Sequence, residues 1–204
     1  MIGITIELDT SFDTATPFLV RLTDAITGDR TLLHDYVSRR SAETARRHIR
    51  TIAPGRHWTA DQLGAKRTGF LERAAGSIEP AADANAAYIE FPRSFGLQRA
   101  FGQIVIVPKR GGKYLTIPAT AEAYGRRAGE IAGLVFKFLG RSRALVMMRG
   151  ARDFTVFYWL VRSVTQPQDR LLLPSDFDFA LAAEKGAEDL IRDLGEDVPG
   201  GLPA

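Results

Sequence analysis

Ile2, Ile4, Ile6 and Leu8 alternate with Gly3, Thr5, Glu7 and Asp9, so a half-buried strand is predicted over 2–8. Residues 10–29 are less regular: Pro17 opens a short helix reaching Ile26, and Gly28 stops it. The clearest helix is predicted over 30–53. There Leu33, Tyr36, Val37, Ala45, Ile49 and Ile52 return at three- and four-residue steps, with small Ser41 in the gap. Arg39, Arg40, Arg46, Arg47 and Arg50 fill much of the other face, and Pro54-Gly55 ends the helix.

Residues 54–69 read as irregular, anchored by Trp58. Phe70–Ala75 reads as a short helix capped by Thr68. After a run of small residues over 79–87, strands are predicted at 87–91, 101–107 and 114–117. Lys109-Arg110-Gly111-Gly112-Lys113 has hairpin-turn character, joining the last two into a hairpin that either lies flat or projects. Glycines spread over 119–140 argue against a long helix there and leave only a helical turn near 121–127. Strands over 143–149 and 153–164 flank a turn at 149–153 and, being rich in aromatic and β-branched residues, form the centre of a sheet. Ser175 or Asp176 caps a final helix over 176–194 with a stripe of Phe179, Ala183, Ala187, Leu190 and Leu194. The Gly/Pro-rich 195–204 reads as a flexible tail.

The expected fold is therefore α+β, a single domain over 1–194. The long N-terminal helix packs on a curved, mainly antiparallel sheet with a possible projecting hairpin, and a C-terminal helix covers an edge or reaches a neighbour. A length of 204 residues suits that organisation. No apolar run approaches the roughly 18 residues of a membrane span, and the opening residues lack the basic-then-apolar pattern of a signal peptide.

Charge sharpens this picture. The net charge is only +3, but residues 169–204 carry three basic and nine acidic groups. The remainder is strongly basic, and its cations are mostly arginine: 22 of the 27 basic residues in the chain. Three readings fit: a basic surface balanced by its own tail, an acidic segment meeting a neighbouring copy, or attraction to nucleic acid. The candidate interaction residues are Arg39, Arg40, Arg46, Arg47 and Arg50 on the helix, and Lys109, Arg110 and Lys113 in the hairpin turn. Glu184, Glu188 and Asp189 on the last helix complete the set.

Chemistry is sparsely provided for. With no cysteine, disulfides and thiolate chemistry are excluded. His34 and His48 lie fourteen residues apart on one helix, about 21 Å, too far to share a metal. His57 has Asp61 close in sequence to orient it, but no serine or threonine is framed as a nucleophile. Asp9 with Asp13, and Asp176 with Asp178, are the carboxylate pairs that would hold a cation. The glycines of 63–69 do not match a phosphate loop. The expectation is no enzyme, no cofactor and no metal.

Four stretches carry a resemblance to a known group: Ala45-Arg46-Arg47-His48-Ile49; Leu63-Gly64-Ala65-Lys66-Arg67-Thr68-Gly69-Phe70 with Ala74-Ala75; Phe101-Gly102-Gln103-Ile104 through Gly112-Lys113 to Leu115-Thr116-Ile117-Pro118-Ala119 and Glu122-Ala123-Tyr124-Gly125; and Leu160-Val161-Arg162-Ser163-Val164-Thr165-Gln166 with Leu173-Pro174-Ser175. In this order the chain resembles the phage virion morphogenesis proteins, the Mu G-like tail-completion family, related at fold level to HK97-type minor tail components. One departure is Tyr88-Ile89-Glu90-Phe91 followed by Pro92, where many of the HK97-type components carry a histidine–glutamate–phenylalanine–glycine-like stretch. The resemblance implies a structural role at the end of a tail tube or the head–tail junction. It also implies ring assembly, frequently hexameric, and partners among tail tube, tail terminator or head–tail connector proteins. It implies a virion location, with assembly in the bacterial cytoplasm, and no catalytic residues. DNA contact would be unspecific and no membrane is involved. The other reading is a DNA-binding accessory protein working through the arginine-rich helix.

Overall fold

The computed structural model describes residues 15–91, 97–109, 112–150 and 152–196. The predicted strand over 2–8, Arg110 of the candidate set and residues 197–204 lie outside the described residues. The fold is α+β, with helices at both ends of the described chain and antiparallel sheets between them. Contacts gather in two compact units. One unit is Met1–Arg47, Ser77–Phe91 and Pro174–Ala204; the other is His48–Gly76 and Pro92–Leu173.

The first unit holds α1 (Ala15–Thr27), most of α2 (Thr31–Ile52), the hairpin β1 (Glu79–Ala82) and β2 (Ala87–Glu90), and α5 (Asp176–Glu196). The Asp29 carboxylate fixes the start of α2 by accepting the Thr31 N–H at 2.9 Å and its hydroxyl at 2.5 Å. Mostly small residues make the tight face of α2: Ser38, Ser41, Ala42 and Ala45 are buried, with the larger Ile49 below them, while Leu33, Tyr36 and Val37 are only half-buried. α5 meets this helix closely at Gly186, where an added Cβ would stand 2.7 Å from Val37 Cα. Ser175 caps α5: its hydroxyl accepts the Asp178 N–H at 3.2 Å, and the Asp178 carboxylate accepts the Ser175 N–H at 3.0 Å. The helix runs two residues past the predicted 194. Its buried line is Ala182, Gly186, Asp189 and Leu190, with the predicted Phe179, Ala183, Ala187 and Leu194 alongside it.

The run of small residues forms a strand: Glu79–Ala82 pairs with Ala87–Glu90. The turn between them closes on Asp83, whose carboxylate accepts the N–H groups of Asn85 (2.7 Å) and Ala86 (2.9 Å). Those hydrogen bonds hold the Asp83 carboxyl below its ordinary range.

The second unit begins with the last turn of α2 and a 3-10 turn, Ala53–Arg56, at Pro54. The stretch read as irregular contains α3 (Trp58–Leu63). Trp58 opens that helix and is 67% exposed, so it anchors no loop. α4 (Phe70–Gly76) follows. Its sheet has four antiparallel strands in the order β4 (Leu115–Pro118), β7 (Phe154–Val161), β6 (Ser142–Met148), β5 (Leu134–Leu139). β5 is an element the sequence reading missed; its apolar run sits between Gly133 and Gly140, and Gly140 takes a left-handed φ of 61° in the tight β5–β6 turn. One core cluster lies on this sheet. Ala123, Ile131, Phe157 and Tyr158 are buried against Leu134, Leu145 and Met147, and the Tyr158 hydroxyl lies 3.0 Å from the carbonyls of both Ala123 and Arg126. Burial holds that phenol above its ordinary pKa.

The predicted hairpin over 101–117 does not form. β3 (Ile104–Ile106) pairs with β8 (Val164–Gln166), and β4 pairs with β7. Leu115–Ile117 gain more from lying on the long aromatic-rich β7 than from a three-residue strand across a turn interrupted by Pro108. Among the described residues the strands therefore form three separate sheets where the sequence predicts one.

Candidate functional site

The candidate residues divide into those used inside the chain and those left at the surface. On α2, Arg39 pairs with Asp35 at 2.7 Å and Arg47 with Glu43 at 3.1 Å, one turn away in each case. Such exposed pairs contribute about 0.2–1 kcal/mol each. Arg46 donates to the Ile78 carbonyl, Nε at 3.0 Å, tying α2 to the segment before β1. Arg40 donates to Glu43 at 3.0 Å and to Asp189 of α5. Arg50 is exposed in the last turn of α2. His34 donates through Nδ1 to the Asp83 carbonyl at 2.7 Å.

Asp189 is thus an internal partner. It is nearly buried, and it accepts from Arg40 Nε and from Arg192 Nη2 at 2.6 Å. The Arg40 hydrogen bond, then that from Arg192, holds its carboxyl below the ordinary range; Arg40 is in turn held high by Asp189 and then by Glu43. A groove of about 240 Å³ runs beside this network and is lined by Tyr36, Arg39, Arg40, Glu43, Asp189, Arg192 and Asp193. Tyr36 donates to Asp193 there at 2.6 Å. The three cations and three carboxylates balance, so the groove carries no net charge. Glu184 and Glu188 stay exposed on the outer side of α5, and Lys109 and Lys113 flank the connection between β3 and β4.

In the second unit Asp61 does not orient His57. The Arg67 guanidinium takes both Asp61 oxygens, at 3.1 and 3.2 Å. His57 is buried edge-on to Phe70 with ring centroids 5.9 Å apart, and its nearest carboxylate is Glu72 at 3.6 Å. Neither ring nitrogen has a hydrogen-bond partner among the described residues. The Asp176–Asp178 pair is likewise split, because Asp178 closes the α5 cap. Among the described residues no group of three or more histidine, aspartate or glutamate side chains is placed to hold a metal.

One cluster had no sequence signal. Arg56 and Arg99 both donate to Asp169, 113 and 70 residues away along the chain, the second at 2.8 Å. They line a cavity of about 270 Å³ with Phe70, Leu71, Ile106, Gln166 and Leu172. Two guanidiniums on one carboxylate leave a single positive charge in excess beside an apolar wall.

No protein-family model, curated protein or solved structure matches this chain. The surface features of the chain itself therefore carry the functional argument.

Two surfaces stand out. The first is the β5 side of the four-stranded sheet. No strand covers the outer edge of β5 among the described residues, and Val135, Phe136 (44%) and Phe138 (65%) are exposed along it. Phe136 and Phe138 meet edge to face, with centroids 5.0 Å apart and planes at 88°. Arg143 of β6 lies over both Phe138 (5.8 Å) and Tyr114 (5.1 Å). Lys137, the one charge on β5, is drawn over Phe154 at 3.8 Å and does not guard the edge. The second surface is the outer side of α5, where Phe177, Leu181 and Ile191 are exposed. Among the described residues no helix is long and apolar enough to cross a membrane.

Proposed function

We propose that this protein is a structural subunit of a phage or prophage virion, a tail-completion or head–tail joining protein that assembles as a ring. The observation that carries this reading is the uncovered β5 edge. An open strand edge with exposed aromatic side chains is an aggregation hazard unless another protein covers it. Interface centres are enriched in aromatic residues and arginine, the composition of Phe136, Phe138, Tyr114 and Arg143. The ordered resemblance of four stretches to virion morphogenesis proteins supplies the context. In this role the chain binds other virion proteins, uses no cofactor and turns over no substrate. Six copies is the stoichiometry the resemblance favours.

The test is the mass of purified protein, by sedimentation and native mass spectrometry, alone and with head or tail components. A closed ring is expected. A monomer at tens of micromolar that stays a monomer with those components overturns the reading.

Charge favours a second reading. The second unit holds 19 basic and 6 acidic residues, and the first holds 8 and 18. A nucleic-acid partner would therefore lie on the second unit, not on α2, whose arginines are largely engaged within the chain. Filter binding that weakens steeply with salt and depends on Arg141 and Arg143 would favour this reading.

A further inference from the structure

The α5 surface has a pattern of its own. Phe177, Leu181, Glu184, Glu188 and Ile191 recur at steps of four and three and are all exposed. They lie opposite the buried line of Ala182, Gly186, Asp189 and Leu190. The stripe is apolar at its ends and acidic in its middle. It extends over fifteen residues, about 21 Å.

The four-stranded sheet has a complementary face. The strand register sets Thr116, Leu160, Arg143 and Phe138 in one row across β4, β7, β6 and β5. At the same end of the sheet stand Arg141 in the β5–β6 turn, Arg162 just past β7 and Lys113 before β4. No carboxylate of the second unit balances them. Asp61, Glu72, Glu122 and Asp169 sit beside other cationic or basic groups, Glu130 accepts the Arg127 N–H, and Asp153 lies in the turn at the opposite end. This end of the sheet is therefore basic and aromatic together.

We propose that the outer stripe of α5 from one copy docks on this sheet end of a second copy. This rests on the ring reading above and names its contact. The two patches match in kind: Phe177, Leu181 and Ile191 against Phe136, Phe138 and Leu160, and Glu184 and Glu188 against Arg141, Arg143 and Arg162. They match in spacing. The two glutamates stand about 6 Å apart along the helix, between one and two strand separations of about 4.8 Å. The ring geometry also argues against nucleic acid here. Arg143 already lies over Tyr114 and Phe138, and the two phenylalanines are perpendicular, so the rings present no parallel faces for stacked bases. On α5 the stripe is exposed; on the sheet end Phe136, Phe138, Arg141 and Arg162 are exposed, while Arg143 and Leu160 are half-buried. Donor and receptor patches differ, which makes the contact head-to-tail, the kind that builds a ring when its rotation closes and a filament when it does not.

Charge reversal tests this in the full chain. One variant carries Glu184→Arg with Glu188→Arg, and another carries Arg141→Glu with Arg143→Glu. Each alone should weaken self-association about tenfold or more in sedimentation velocity. An equimolar mixture of the two should regain it, because both contacts become complementary in alternating order. Circular dichroism melts matching the parent protein show that each variant folds, and Phe177→Ser serves as an uncharged second probe. Association unchanged by the reversals, or not restored on mixing, overturns this contact. A labelled oligothymidylate that binds the parent chain and is lost with the Arg141/Arg143 variant, while self-association persists, assigns the face to nucleic acid instead. If rings survive every variant, only the contact fails. If the parent protein never associates, even with head and tail components, the ring reading fails with it.

Discussion

Gly186 and Asp189 show how single side chains join α5 to α2. A methyl group at 186 would meet Val37 and Tyr36 backbone at 2.7–2.9 Å, and backbone cannot turn aside. Gly186→Ala should therefore lose about 1–3 kcal/mol from overpacking, outweighing a gain of about 1 kcal/mol in helix propensity; urea unfolding measures the difference. Asp189 makes a prediction about acid. Its folded pKa is lowered, first by Arg40 and then by Arg192, so its stabilisation is complete above the ordinary aspartate value of 3.8. It is lost as pH falls through the lower folded value. Asp189→Asn should flatten the acid limb of a stability–pH profile and lower stability at neutral pH. An unchanged acid limb would show that the pair is not formed in solution. Asp189 was legible as acidic but not as buried: the helical pattern marks it as polar, and only the approach of Arg40, 149 residues away, shows that it is paired.

At the scale of elements, local signals served well wherever they act through neighbours in sequence. Ser175 caps α5 as expected, because the capping hydrogen bonds span only three residues. Ser175→Ala should cost about 1 kcal/mol, read as a lower urea midpoint with unchanged slope. α2 and α5 lie within two residues of their predicted bounds. β6 lies within one residue of the strand expected over 143–149 and β7 lies inside the one expected over 153–164, because that hairpin too is local. Strand partners were not legible. β3 and β4 are neighbours in sequence with turn residues between them, yet each pairs elsewhere. Periodicity reports that a segment is extended; it does not report which extended segment offers the larger apolar area. β5 was overlooked for a different reason, since its apolar residues, interrupted only by Lys137, were there to read but were merged with the glycine-rich stretch around them.

Over the whole molecule, charge is sorted by unit, not merely by position along the chain. The first unit is net −10 and the second net +13, although segments of the two alternate in sequence. The sequence reading located a basic body and an acidic end. It assigned the basic partner to the arginine-rich helix or to the hairpin turn with Lys109, Arg110 and Lys113; most of the helix guanidiniums prove to be engaged within the chain, whereas Lys113 lies at the sheet end. Among the described residues, Lys113, Arg141, Arg143 and Arg162 gather at one end of the four-stranded sheet with no carboxylate of the second unit beside them. That relocation moves the proposed docking face from a helix to a sheet without changing its chemistry.

By itself the sequence determined the long helices, the central strands, the Ser175 cap, the absence of thiol chemistry and the unequal distribution of charge. These depend on composition and on contacts within a few residues. Only the tertiary structure decided which strands pair, which arginines are consumed and which apolar residues remain uncovered. Those outcomes depend on competition among distant segments for the same buried area and the same carboxylates. No local pattern encodes the winner of that competition.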